Sequence, residues 1–216
     1  MGTAVRAIWI SICLLSFLIS VPVALSESLR SAYMSFMSRK WAWIWPQDYA
    51  FIGDSLTLNC SWRRITGRPL STIVLAEGGR TIREITSQVS LAHFLGARHL
   101  FINAGGNDIL LLEQTDQIAR DFDFLLRQIQ GEQTAVVTLI PYVSDVAMAP
   151  SITAANAVIA DLARRRGFPV IDLNPILASA GVRKPEMTND GIHLTQQACI
   201  VWNDAVRAQI ANIVTR

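Results

Sequence analysis

Cysteine is scarce in this chain, three in 216 residues, so disulfides cannot be what builds the fold. No CxxC, no HExxH and no other paired Cys/His spacing occurs, and a zinc site is not expected. GxGxxG and the phosphate-loop pattern GxxxxGKS/T are missing as well, which removes local support for a bound nucleotide. Neither sign of charge dominates: 19 Lys and Arg stand against 17 Asp and Glu, a net +2. That balance argues against a nucleic-acid partner. Charged residues are few, 17% against 51% hydrophobic, a composition that buries a core rather than staying disordered. Internal repeats and low-complexity segments are absent. At about 100–200 residues per domain, the length suits one catalytic-sized domain with a short appendage.

The appendage lies at the start. Ala7 to Leu25 is an apolar run broken only by Ser11, Ser16, Ser20 and Pro22, with Arg6 before it. Residues 1–26 therefore read as a signal peptide or a membrane anchor. Ala24-Leu25-Ser26 puts small residues where a signal peptidase reads, with cleavage after Ser26; the run is also long enough to span a bilayer. Either way the expected location is exported, secreted or periplasmic, with membrane association through this segment as the second form. Residues 27–47 read as a linker or juxtamembrane segment. Arg30, Arg39 and Lys40 follow the run, so charge bias does not orient it. Trp41, Trp43 and Trp45 suit a membrane interface, or pack on the domain. The domain proper is then 48–216. It holds Cys60 and Cys199, which either pair, as an exported protein allows, or stay as two buried thiols.

From Asp48 onward, β-rich runs alternate with helical spacing. The runs are Tyr49–Ile52, Thr72–Leu75, His99–Ile102, Ala135–Ile140 and Pro169–Asp172. Ile118, Phe122, Leu125, Leu126 and Ile129 recur at three and four residues, one face of a helix. Ile152 to Arg166 is alanine-rich with a basic end, as a helix C-terminus prefers. Leu194 to Ile213 predicts a last helix with Ile200, Val201, Ala205, Ile210 and Ile213 as its apolar positions. Strands separated by helices must run parallel, because parallel neighbours need a crossover. The expected fold class is α/β: a three-layer α/β/α sandwich with a five-stranded parallel sheet, flavodoxin-like. Its ligands bind beyond the carboxyl ends of the strands.

Four polar clusters fall at that end or in the last loop. Gly53-Asp54-Ser55-Leu56-Thr57 follows the first strand; its serine is a nucleophile at a helix N-terminus, or a plain N-cap. Glu77-Gly78-Gly79-Arg80-Thr81 follows the second; its glycines let a backbone N–H approach a ligand, or merely turn the chain. Asn103-Ala104-Gly105-Gly106-Asn107-Asp108 follows the third; an asparagine amide can donate to an oxyanion without carrying charge, and the same residues also dominate turns. Asn189-Asp190-Gly191-Ile192-His193-Leu194-Thr195 precedes the last helix; a turn can bring the carboxylate of Asp190 to the imidazole of His193 and aim the other ring nitrogen at a serine. His93 and His99 have no such surroundings and read as structural.

Together these clusters resemble the SGNH (GDSL) hydrolases. The blocks that carry the resemblance are Gly53-Asp54-Ser55-Leu56, Gly105-Gly106-Asn107-Asp108 and Asp190-Gly191-Ile192-His193, in the family's order, over about Tyr49 to Arg216. The resemblance implies a serine esterase with Ser55 as nucleophile, His193 as base and then acid, and Asp190 orienting His193. The oxyanion donors it implies are Ser55 N–H, the Asn107 side-chain amide and a second-block glycine. Here the chain departs from the commoner form, which has serine before that glycine and aspartate after it. Alignment on Thr81 selects Gly79, leaves Gly78 as the alternative, and puts Arg80 in the aspartate's place. No metal or organic cofactor is implied. The substrate expected is a small-molecule, glycan or lipid ester, with short or acetyl acyl groups because the chain is short for this family and leaves little room for a lid. The competing readings are an O-acyltransferase on glycans using the same residues, and an inactive membrane-tethered binding protein. Cys60 lies five residues after Ser55 and Cys199 six after His193, so a bridge between them would tie the two halves of the site together.

Overall fold

The computed structural model describes residues 47–214. The segments read as signal or anchor (1–26) and as linker (27–47, all but its last residue) lie outside the described residues.

Five strands form one parallel sheet: β1 (Tyr49–Gly53), β2 (Thr72–Val74), β3 (His99–Asn103), β4 (Thr134–Thr138) and β5 (Val170–Ile171). Their order, β2-β1-β3-β4-β5, is the doubly wound one that the alternating pattern predicts. The chain first winds outward to β2 and then back past β1 to β3, so a crevice opens beyond the carboxyl ends of β1 and β3. The helices are α1 (Ser55–Leu58), α2 (Ile82–Phe94), α3 (Gly106–Leu110), α4 (Thr115–Arg127), α5 (Ala149–Arg165), α6 (Asn174–Leu177) and α7 (Gln196–Val214). A small antiparallel pair, β6 (Ala178–Ser179) and β7 (Val182–Arg183), has no counterpart in the sequence reading.

Side chains alternate across the sheet. On one face Tyr49, Phe51, Phe101, Val136 and Ile171 meet Trp62 and the α7 residues Cys199, Trp202, Val206 and Ile210. Phe51 stacks between Trp62 and Phe101, with ring centroids 4.5 and 4.9 Å away. Both indoles also place their N–H: Trp62 donates to the Thr57 carbonyl at 2.6 Å and Trp202 to the Thr138 hydroxyl at 3.1 Å, so neither costs an unmade hydrogen bond. Ala50, Ile52, Leu100, Ile102 and Val137 point the other way and are buried; α2, α4 and α5 lie side by side as the second helical layer. Residues 146–165 are long and apolar enough to cross a membrane, but Ile152, Ala155, Ile159 and Ala163 are buried within the domain, and this is a core helix.

Two helical expectations need correction. The buried stripe of α7 runs through Ala198, Cys199, Trp202, Val206 and Ile210, whereas Ile200 is 53% exposed. The large indole at 202 and its bond to Thr138 set the rotation, and Val201, Ala205 and Ile213 fall at the margin. Helix α2 was not foreseen as an element, although Thr81-Ile-Arg-Glu84 carries a capping signature: Thr81 N–H donates to Glu84 Oε2 at 2.9 Å.

Of the two readings of the cysteines, the structure has the bridge, Cys60–Cys199, with Cα atoms 5.5 Å apart and 139 residues between them in sequence. It joins the end of the α1 segment to the first turn of α7. In the chain-entropy account, closing a loop of that length stabilises the fold by about 5 kcal/mol.

Candidate active site

The first cluster sits where β1 turns into α1. A Cβ at Gly53 would stand 2.5 Å from the Asn103 carbonyl oxygen and 2.3 Å from Thr57 Oγ1, so only glycine lets the strand end this close to β3. Gln88, reaching in from α2, braces the two peptides flanking the same glycine: its Oε1 accepts from Gly53 N–H at 2.8 Å and its Nε2 donates to Gly53 O at 3.0 Å. Asp54 caps α1, accepting from Leu56 N–H at 2.9 Å. Ser55 follows at the first position of the helix.

The last cluster meets it across 138 residues of sequence. His193 Nε2 lies 3.1 Å from Ser55 Oγ, and His193 Nδ1 lies 2.7 Å from Asp190 Oδ2. The other Asp190 oxygen accepts the backbone N–H groups of Ile192 (3.0 Å) and His193 (2.7 Å). The ring hydrogen bond first, and these two N–H groups after it, hold the Asp190 carboxyl well below the usual carboxylate range. An ionised Asp190 can only accept, so the network assigns the ring proton to Nδ1 and leaves Nε2 to accept from Ser55. Thr188 closes the loop on itself: its hydroxyl donates to His193 O at 2.9 Å and accepts from Gly191 N–H at 2.8 Å.

The third cluster forms α3. Gly105 has φ +109°, and a Cβ there would meet Ile140 Cδ1 at 2.8 Å, so glycine alone fits. Asn107 Nδ2 donates to the Arg80 carbonyl at 3.0 Å and, more weakly, to Asp54 Oδ2 at 3.3 Å. The third cluster is thereby joined to the first and second. Asp108 turns inward, both oxygens accepting from Ile82 N–H at 3.1 and 3.3 Å. Asp54 and Asp108 are both buried, and burial first of all pushes each carboxyl up to about 6.

In the second cluster, Arg80 pairs with Glu77 at 3.0 Å and Glu84 at 2.7 Å. Its side chain thus points to surface carboxylates while its carbonyl holds Asn107. A Cβ on Gly78 would stand 3.8 Å from Ser55 Cβ, whereas one on Gly79 would have no neighbour within 4 Å. Gly78 therefore stands against the Ser55 turn, and Gly79, at φ +74°, makes the bend after it. His99 pairs with Thr134 at 2.9 Å at the opposite end of the sheet, and His93 is exposed.

A cavity of about 30 Å³ adjoins Ser55 and Asn107, walled by Leu56, Ile109, Ile140, Val143, Ile152 and Arg183 among others. Arg183 was not singled out from the sequence. It is 2% exposed. Its Nε donates to the Tyr142 carbonyl and its Nη1 to the Ile192 carbonyl at 3.0 Å, which pins the His193 loop to the segment after β4.

Residues 51–198 match the model of the GDSL-like lipase/acylhydrolase family. The chain belongs to that family. It is by that membership a serine ester hydrolase of the GDSL type. No curated protein matches the chain. Among solved structures, it is similar to a GDSL-like lipase from Bacteroides thetaiotaomicron (TM-score 0.70, 16% identity, 87% of this chain and 98% of that one). It is also similar to a lipase/acylhydrolase from Enterococcus faecalis (0.63, 16%, 76% and 95%). A third is the inhibitor-bound aryl esterase of M. smegmatis (0.61, 17%, 77% and 99%). At these identities the likeness is one of fold.

Proposed function

We propose that this GDSL-family hydrolase cleaves esters of short acyl groups by way of an acyl-serine, with Ser55, His193 and Asp190 as the reacting set. The observation that carries the proposal is the unbroken hydrogen-bond chain Asp190–His193–Ser55. His193 Nε2 takes the Ser55 proton as Oγ attacks the ester carbonyl. The tetrahedral oxyanion is held by Ser55 N–H, by Asn107 Nδ2 and by an N–H of the Gly78–Gly79 turn, Gly79 being the donor selected by alignment. The C–O bond breaks, the alcohol leaves with the proton from His193, and water activated by the same nitrogen releases the acid. The small, mostly apolar cavity beside Ser55 supports a short acyl chain.

Residues 48–216 act as the catalytic domain, and the protein works outside the cytosol. Two observations support that location: the apolar run from Ala7 to Leu25 and the Cys60–Cys199 bridge, which an oxidising compartment maintains. The test is hydrolysis of acetyl, butyryl and octanoyl nitrophenyl esters by the full chain, with Ser55→Ala beside it. Turnover that is fastest on the short esters and vanishes in the variant is expected. Equal turnover in the variant sinks the mechanism, and an octanoyl preference sinks the short acyl group. Turnover only on adding sugar acceptors would make the protein an acyltransferase.

A further inference from the structure

Arg183 carries a donor that nothing among the described residues uses. Its Nε and Nη1 are engaged by two backbone carbonyls, but Nη2 is buried with no hydrogen-bond partner. A buried polar group left unpaired is costly, and a charged one more so. Among the described residues no carboxylate forms an ion pair with this guanidinium. Asp190 supports its charge from a distance, but both Asp190 oxygens are occupied by His193 and its backbone. The carboxyl that lines the same cavity, Asp54, is occupied by Leu56 N–H and Asn107. Nη2 thus lacks an acceptor among the described residues, and Arg183 is one of the residues lining the cavity beside Ser55.

Resting on the esterase reading above, we propose that Arg183 Nη2 receives an acceptor oxygen of the acyl chain. The natural acyl group is then short and oxygen-bearing, with an ether, hydroxyl, keto or carboxylate oxygen close to the ester carbonyl, rather than a plain alkyl chain. An apolar cavity tells neighbouring alkyl chains apart only weakly, whereas a site holding a buried donor disfavours the analogue that leaves it unpaired. Arg183 is in this view a substrate-binding residue whose other two nitrogens keep it in place.

The test compares methyl methoxyacetate with methyl butyrate, which differ by one ether oxygen in place of a methylene. Each kcat/KM is divided by the ester's rate constant with hydroxide, which removes the intrinsic reactivity difference. The full-length wild type is expected to prefer the methoxyacetyl ester by about tenfold or more, the size of one charge-assisted hydrogen bond. Arg183→Met should bring the normalised ratio to about one. Arg183→Lys, which keeps a cation but cannot hold both carbonyls and the substrate, should fall between. A wild-type ratio of about one or below overturns the proposal while leaving the esterase intact, and a buried water is then the partner of Nη2. This arm does not depend on either variant folding. A preference that survives unchanged in a folded Arg183→Met overturns the assignment to Arg183. Absence of Ser55-dependent turnover on both esters overturns the esterase reading and this one with it.

Discussion

The two halves of the site are held in opposite ways. The half-buried His193 loop orients its side chains from within: Asp190, Gly191 and Thr188 bond to groups within five residues, and its ties to distant chain, from Ser144 N–H and Arg183, go to its backbone carbonyls. The Ser55 turn is tied to distant chain: Gln88 is 35 residues from Gly53, Asn107 is 53 from Asp54, and Gly53 lies so near the β3 carbonyl of Asn103 that a Cβ would clash with it. A nucleophile at a strand end has few local partners, because the strand behind it is committed to its neighbours. A base on a surface loop can be oriented by its own backbone. The nucleophile turn should therefore link activity to stability, and the base loop should separate them.

The largest effect expected belongs to the base loop. Asp190→Asn should lower kcat by about 10⁴, by favouring the wrong imidazole tautomer, with the Tm barely moved; steady-state kinetics beside a thermal melt checks both halves. A large drop in Tm would show that the loop is not self-supporting. Next is Asn107→Ala, expected to lower kcat by about 10²–10³ with the fold retained; full activity would remove Asn107 from the oxyanion site.

Two buried carboxyls, Asp54 in the Ser55 turn and Asp108 in α3, predict a pH effect. Asp54 and Asp108, ordinarily at 3.8, are pushed to about 6 in the native state, so the folded protein keeps protons that the unfolded chain has already lost. Their stabilisation is complete below about pH 4 and is lost as pH rises through 6, of order 3 kcal/mol for each group at 1.4 kcal/mol per unit. Asp108→Asn, measured by urea unfolding from pH 5 to 7.5, should lose less stability with rising pH than the wild type. Parallel curves would mean that Asp108 does not titrate in this range. The smallest effects sharpen the contrast directly. Gln88→Ala leaves the buried Gly53 N–H unpaired, while the Gly53 carbonyl keeps Glu77 N–H at 3.1 Å, and should cost about 1–3 kcal/mol as well as activity. Thr188→Val should cost about 1 kcal/mol and act mainly on kcat. Equal stability losses would erase the distinction.

The same contrast explains what was legible in the sequence. The strands and the parallel sheet follow from short β-rich runs between helical stretches, and Asp190-Gly191-Ile192-His193 is visible because its partners are adjacent. The clusters around Ser55 and Asn107 are visible as polar residues after strands. What braces them is not. Gln88 looks like any helix glutamine and Arg183 like any surface cation until the fold buries them, and the rotation of α7 depends on where Trp202 finds Thr138. The register of a glycine pair, Gly78 against Gly79, likewise waits on which one the turn sets beside Ser55.

The bridge between Cys60 and Cys199 also bears on how the enzyme withstands proteolysis. A protease that cuts once anywhere between these residues produces two fragments that stay covalently attached. Exposed stretches such as Ser144–Ala147 can then be nicked without Ser55 and His193 drifting apart, because one fragment carries Ser55 and Cys60 and the other carries His193 and Cys199. In a reducing environment the same cut would release the pieces.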